Sequence, residues 1–135
     1  LTRDSGPAHM VRAALESLAY QTRDLLDALT KDGAPPLKRL KVDGGVTANA
    51  FAMQFIADIC EVEVERPAFQ EMTAMGAARL AAYGVGLTEA LWTAPAEAPA
   101  VWTPRMGAEA RARLLKGWRG AVRAAIIAAQ PEEGE

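Results

Sequence analysis

Two adjacent glycines, Gly44 and Gly45, followed closely by Asn49, are the residues of this chain whose types and spacing could do chemistry. Glycine has no Cβ, so a double glycine lets backbone approach a bulky ligand. The residues after it read as a helix. The unpaired N–H groups and partial positive charge at a helix start favour anions such as phosphates. Asn49 carries both a donor and acceptor lone pairs, so its side chain can meet a phosphate oxygen or a base edge. By itself this spacing fits a purely structural strand-to-helix loop better. The chain has neither a Walker pattern nor a triple-glycine dinucleotide fingerprint.

The elements that must hold this junction can be read on either side of it. Pro7 suits a first helical turn. Val11, Leu15, Leu18, Thr22, Leu25 and Leu29 then recur at spacings of three and four, which predicts one apolar stripe on a helix of about six turns. Lys31-Asp32-Gly33, with Pro35 and Pro36 beyond, stops it. Residues 37–43 alternate, with Leu40 and Val42 on one face, and predict a short strand entering the glycines. Phe51, Phe55 and Ile59, with Ala52 and Ile56, predict the helix that leaves them. Residues 61–66 alternate again and close at Pro67. Strand, helix and strand in that order imply a parallel pair. A sheet of two short parallel strands leaves an edge open, which points to missing strands.

Downstream, Thr73 is expected to cap a helix rich in small residues, at 74, 76, 77, 78, 81 and 82, which suits tight packing of that helix on the sheet or, as the lesser alternative, keeps space open for a ligand. Gly84 and Gly86 end it. Residues 87–106, with Pro95, Pro99 and Pro104, read as a connector with a short helical turn from Leu87 to Trp92. A last helix is expected over 108–129, with Leu115, Trp118, Val122 and Ile126 on its buried side. Its Arg111, Lys116, Arg119 and Arg123 read as a solvated face. Residues 1–130 form the folded unit in this reading, and 131–135 a flexible tail.

Composition narrows the function classes. The chain has 135 residues, half of them hydrophobic, 24% charged and only 6% aromatic, an ordinary globular balance that favours closely packed helices. A net charge of −2 gives no electrostatic case for nucleic acid. No apolar run reaches the roughly 18 residues that a membrane-spanning helix needs. Cys60 has no partner for an internal disulfide and suits a reducing cytoplasm as a small buried hydrophobe. His9 and Cys60 offer no metal-ligand spacing. The opening Leu1-Thr2-Arg3, without an initiating methionine, is expected of a piece of a longer chain.

Three stretches carry a family likeness. They are Leu15 to Asp24, Val42 to Phe55, and Val64-Glu65-Arg66-Pro67 followed by Glu71 to Ala78. In this order and at these gaps the chain resembles the C-terminal part of the FGGY carbohydrate kinases, and the glycerol-phosphorylating members more than the pentulose kinases. The likeness runs from about residue 1 to 92 and continues weakly through Gly117-Trp118. It implies an α/β fold, the C-terminal part of an actin-like, ribonuclease-H-like ATPase domain with short parallel strands packed with helices.

The same resemblance implies that Gly44 and Gly45 form the adenosine-side loop of an ATP site. Gly45 would contact the nucleotide through its backbone and Asn49 through its side chain. Asp43 is expected to form the loop rather than bind metal. The family's catalytic base, its glycerol-binding residues and the phosphate loop that works with Mg2+ match nothing in this chain, so the polypeptide alone is expected to be inactive. A regulator-binding surface of enterobacterial members matches residues 101–110 only at Pro104, and that regulation is not carried over. Two alternatives remain at this point. One is a part of a different FGGY sugar kinase. The other is a non-catalytic α/β interaction module that forms a homo-oligomer through residues 38–43 at its sheet edge.

Overall fold

A computed structural model of the chain describes residues 2–68, 72–87 and 98–130. In chain order the elements are α1 (Pro7–Lys31), β1 (Arg39–Lys41), a 3-10 turn (Gly45–Ala48), α2 (Ala50–Cys60), β2 (Glu63–Arg66), α3 (Met72–Gly84), β3 (Ala100–Trp102) and α4 (Ala108–Ala128). The expected turn over Leu87 to Trp92, apart from Leu87 itself, and the expected tail at 131–135 lie outside the described residues. Among the described residues no helix is long and apolar enough to cross a membrane.

α2 is the centre of the core. Ala52, Met53, Ala57 and Ile59 are completely buried, and Phe55 and Ile56 nearly so. Burying side chains the size of Met53 or Ile59 stabilises a fold by roughly 1.5–3 kcal/mol each. α1 crosses α2 at Ala19, where the small side chain lets the Cys60 thiol reach the Ala19 carbonyl at 3.6 Å. Burial pushes the Cys60 thiol up to about 12, so it stays protonated and unreactive, as expected of a packed hydrophobe. Tyr20 meets Phe55 edge-on at 5.5 Å and stacks on Trp118 of α4 at 5.2 Å. Trp118 Nε1 donates to Asp24 at 2.7 Å, so the same indole joins α4 to α1 by stacking and by a hydrogen bond.

The buried line of α1 follows the predicted stripe only in part. Ala19 and Tyr20 are buried, Leu15 and Leu26 pack beside them, and Leu18 and Thr22 are half-buried, whereas Val11, Leu25 and Leu29 are exposed. The helix carries more apolar surface than the other described residues cover. The small residues of α3 behave similarly. Its expected packing on the sheet is not made among the described residues, none of which is fully buried in α3, and Leu80 and Tyr83 are exposed. Thr73 lies inside α3 rather than before it, because the helix already runs from Met72. On α4, Leu115 is buried as predicted, but Ile126 is 57% exposed, since the helix outruns the α1 surface that supports it.

The sheet has three strands in the order β1-β2-β3. β1 and β2 are parallel, Leu40 opposite Val64, as the strand–helix–strand reading predicts. β3 is antiparallel to β2, with Trp102 opposite Val64 and Ala100 opposite Arg66. The sheet is therefore mixed, and part of the segment read as connector is a strand. Leu40, Val64 and Trp102 form one row facing the helices. On the other face Arg39 pairs with Glu63 and Glu65, and Lys41 with Glu65 at 3.6 Å. Such exposed pairs add little stability each but leave that face polar.

Candidate functional site

β1 delivers the chain to Val42, whose N–H still donates to the Glu65 carbonyl at 3.0 Å. Beyond it Gly44 adopts φ 88°, ψ 169°, a region open essentially to glycine alone. Thr47, 1% exposed, then closes the turn on Gly44. Its N–H reaches the Gly44 carbonyl at 3.1 Å and its hydroxyl reaches the same oxygen at 2.7 Å. The backbone therefore needs glycine at 44 for conformation. Gly44→Ala is expected to lower unfolding stability by about 1–3 kcal/mol, read by denaturant unfolding, the usual cost of a non-glycine residue held in such a region.

Gly45 is different. Its φ is ordinary, and a Cβ built on it, like one built on Gly44, would meet nothing within 4 Å. The space beside it is open. Its amide and that of Val46 begin the 3-10 turn and find no acceptor within it. The turn ends at Asn49, which is the N-cap of α2. Asn49 Oδ1 accepts from the Ala52 N–H at 3.1 Å, and the Asn49 N–H donates to the Val46 carbonyl at 3.0 Å. The cap uses the oxygen of the Asn49 amide and leaves its NH2 group able to donate to a ligand.

The three residues singled out by the sequence, Gly44, Gly45 and Asn49, are thus brought into one turn between β1 and α2. A hollow of about 390 Å3 opens between this turn and α1, lined by Leu18, Gln21 and Thr22 on one side and by Asp43 and Val46 on the other. Asp43 is exposed and makes no hydrogen bond among the described residues, so it does not form the loop as expected; Thr47 does. Sequence reasoning also missed Arg66, whose guanidinium donates to the Thr47 carbonyl at 2.8 Å. Its signal was available only as one charged residue at the end of an alternating strand.

A larger hollow, about 650 Å3, lies elsewhere, between α1 and α4. Its innermost cations are committed. Arg23 and Arg111 converge on Glu61 at 3.1 and 2.6 Å, and Arg111 also donates to the Met106 carbonyl at 3.1 Å. They hold the left-handed residue that ends α2, Glu61 at φ 59°. This face of α4 is therefore partly structural rather than merely solvated.

Comparison with known proteins follows the same junction. Residues 1–85 match the model of the FGGY family of carbohydrate kinases, C-terminal domain. The chain is 53% identical over 124 residues to a glycerol kinase of Shewanella baltica, and 50% identical over 128 residues to one of Petrotoga mobilis. In each case 90% of this chain is covered but only 25% of the relative, so the chain spans about a quarter of their length. Among solved structures, a Plasmodium falciparum glycerol kinase with ADP superposes with a TM-score of 0.71 at 32% identity, covering 92% of this chain and 25% of that one. A xylulose kinase from Rhodospirillum rubrum superposes at 0.68 and 29% identity, covering 93% and 26%. The fold is that of the actin-like ATPase kinases, and these matches favour a kinase part over a free-standing interaction module.

Proposed function

The chain belongs to the FGGY family of carbohydrate kinases, and from that premise we propose that it supplies the adenosine-side wall of the nucleotide site of an ATP-dependent glycerol kinase. The observation that carries this reading is the turn at 44–49, with open space beside Gly45 and the Asn49 amide set at the start of α2. Residues 1–130 belong to the second domain of that enzyme in this reading. The relatives of highest identity reported above are glycerol kinases, which supports glycerol over a pentulose as substrate.

The residues present fit a nucleotide. Gly45 presents backbone with no side chain between it and the ligand. Asn49 offers an N–H donor while its oxygen keeps the helix capped. ATP supplies the γ-phosphoryl group that passes to a glycerol hydroxyl. The chain contributes positioning, on which phosphoryl transfer depends heavily. In this reading the catalytic base, the glycerol-binding groups and the ligands of Mg2+ come from a part of the enzyme outside this chain, which spans about a quarter of the relatives' length. No three of His, Cys, Asp or Glu come together to hold an ion among the described residues. A cytoplasmic setting, where Cys60 stays reduced, fits the same reading.

The full-length protein is expected to convert glycerol and ATP into glycerol 3-phosphate and ADP, and the 135-residue chain alone to give no product above background. A coupled assay for ADP with and without glycerol decides it. Product from the chain alone, or none from the full-length protein, contradicts the proposal.

Asn49 allows the cap and the contact to be separated. Asn49→Ala is expected to cost about 1 kcal/mol of stability and to weaken ADP binding. Asn49→Ser retains a capping oxygen but loses the NH2 group, so stability should recover while binding stays weak, read by denaturant unfolding and ADP titration of the same proteins.

A further inference from the structure

We propose that Arg66 is a positioning residue that fixes the glycine turn from the sheet, a role that for its effect on ligand binding rests on the nucleotide reading above. Arg66 is the last residue of β2. In the antiparallel register with β3, Val64 opposes Trp102 and Arg66 opposes Ala100. Arg66 and Trp102 are therefore diagonal neighbours on one face of the sheet. The guanidinium lies over the Trp102 ring, 5.5 Å from its centroid, which restrains a side chain that would otherwise be mobile. From that seat Nη1 reaches 19 residues back along the chain to the Thr47 carbonyl at 2.8 Å.

Thr47 is the pivot of the turn. Its N–H and hydroxyl both bond to the Gly44 carbonyl, and its own carbonyl is held by Arg66. Gly45 and Val46, the two residues with open amides, lie between these anchored ends. With the Arg66 bond in place, residues 44–47 are fixed at both ends, by β1 before them and by the β2–β3 pair beside them. Without it the Thr47 carbonyl loses a charge-assisted bond, and the turn keeps only its internal bonds and its packing on α2. A flexible turn must be ordered on each binding event, and that weakens the ligand. Arg66 touches no ligand in this account. It acts through Thr47.

The test uses the full-length protein and two readouts. Amide hydrogen exchange of Thr47 and Asn49, whose N–H groups are bonded within the turn, is measured without nucleotide, and the ATP and glycerol KM values and kcat are measured by steady-state kinetics. Arg66→Ala is expected to speed exchange at Thr47 and Asn49 and raise the ATP KM, each about tenfold, with kcat and the glycerol KM within about twofold. Arg66→Lys keeps one donor and the charge and should be intermediate, which also covers the case in which the alanine variant fails to fold. Trp102→Phe, which keeps a ring face, should stay near wild type. Arg39→Ala removes an arginine from the opposite face of the sheet and should change neither readout. Unchanged exchange at Thr47 and Asn49 in both Arg66 variants overturns the positioning role whatever the nucleotide constants do. Faster exchange with unchanged ATP KM leaves Arg66 as the brace but overturns the turn's part in nucleotide binding, and with it the nucleotide reading itself.

Discussion

Gly45→Asp in the full-length protein is expected to weaken ADP binding roughly a hundredfold, about 2.8 kcal/mol at 1.4 kcal/mol per tenfold, while leaving the fold intact. Two facts set the direction. The backbone at 45 has no left-handed φ, and a Cβ there meets nothing within 4 Å, so the protein tolerates a side chain. The space that side chain fills is the space the nucleotide is proposed to use, and a carboxylate there also adds negative charge beside a polyanionic ligand. Like charges placed together in an interface cost several kcal/mol. Gly45→Ala brings only the steric part and should cost about tenfold. Isothermal titration with ADP measures both, and an unfolding curve matched to wild type shows that folding is not the cause. Gly44→Ala provides the contrast, because there the conformation of the backbone, and not the space around it, requires glycine.

Asp58→Ala is expected to lower unfolding stability by about 3 kcal/mol. Asp58 is 9% exposed. Its Oδ1 accepts from the backbone N–H of Arg105 at 2.6 Å, from that of Met106 at 3.1 Å, and from Gln54 Nε2 at 3.1 Å. Gln54 Nε2 also reaches the Thr103 carbonyl at 2.9 Å. The pair on α2 thus clamps the segment between β3 and α4. Alanine would leave two backbone amides without their acceptor, and bonds to a charged group contribute about 1.5–3 kcal/mol each before any relaxation. Asp58→Asn keeps an acceptor oxygen and should cost about 1 kcal/mol. Denaturant unfolding followed by tryptophan fluorescence reports the change, since Trp118 lies on the helix this clamp introduces.

The junction at the centre of this account was legible because its cues are local. Alternation into Gly44, helical spacing out of it, and Pro7 and Gly33 bounding α1 all act within a few residues. The parallel pairing of β1 and β2 followed from their order alone. β3 was not legible. Ala100–Trp102 is three residues long between two prolines, and it is a strand only because β2 offers a free edge to pair with. The stripe on α1 was only partly right for a related reason. Periodicity shows which residues share a face, but not how much of that face is covered, and Val11 and Leu25 stay exposed among the described residues. The family likeness was legible in the three quoted stretches. Asp58 and Arg66 were missed because their partners lie 47 and 19 residues away. Nothing in the spacing around a charged residue reveals which distant backbone group it will hold.

Whether the turn at 44–49 is a wall of the nucleotide site is decided by amide hydrogen exchange of the full-length protein with and without saturating ADP. ADP is expected to slow exchange at Gly45, Val46 and the first turn of α2, and Gly45→Asp to remove this protection. Protection confined to other segments, with exchange at residues 44–52 unchanged by ADP, would contradict it.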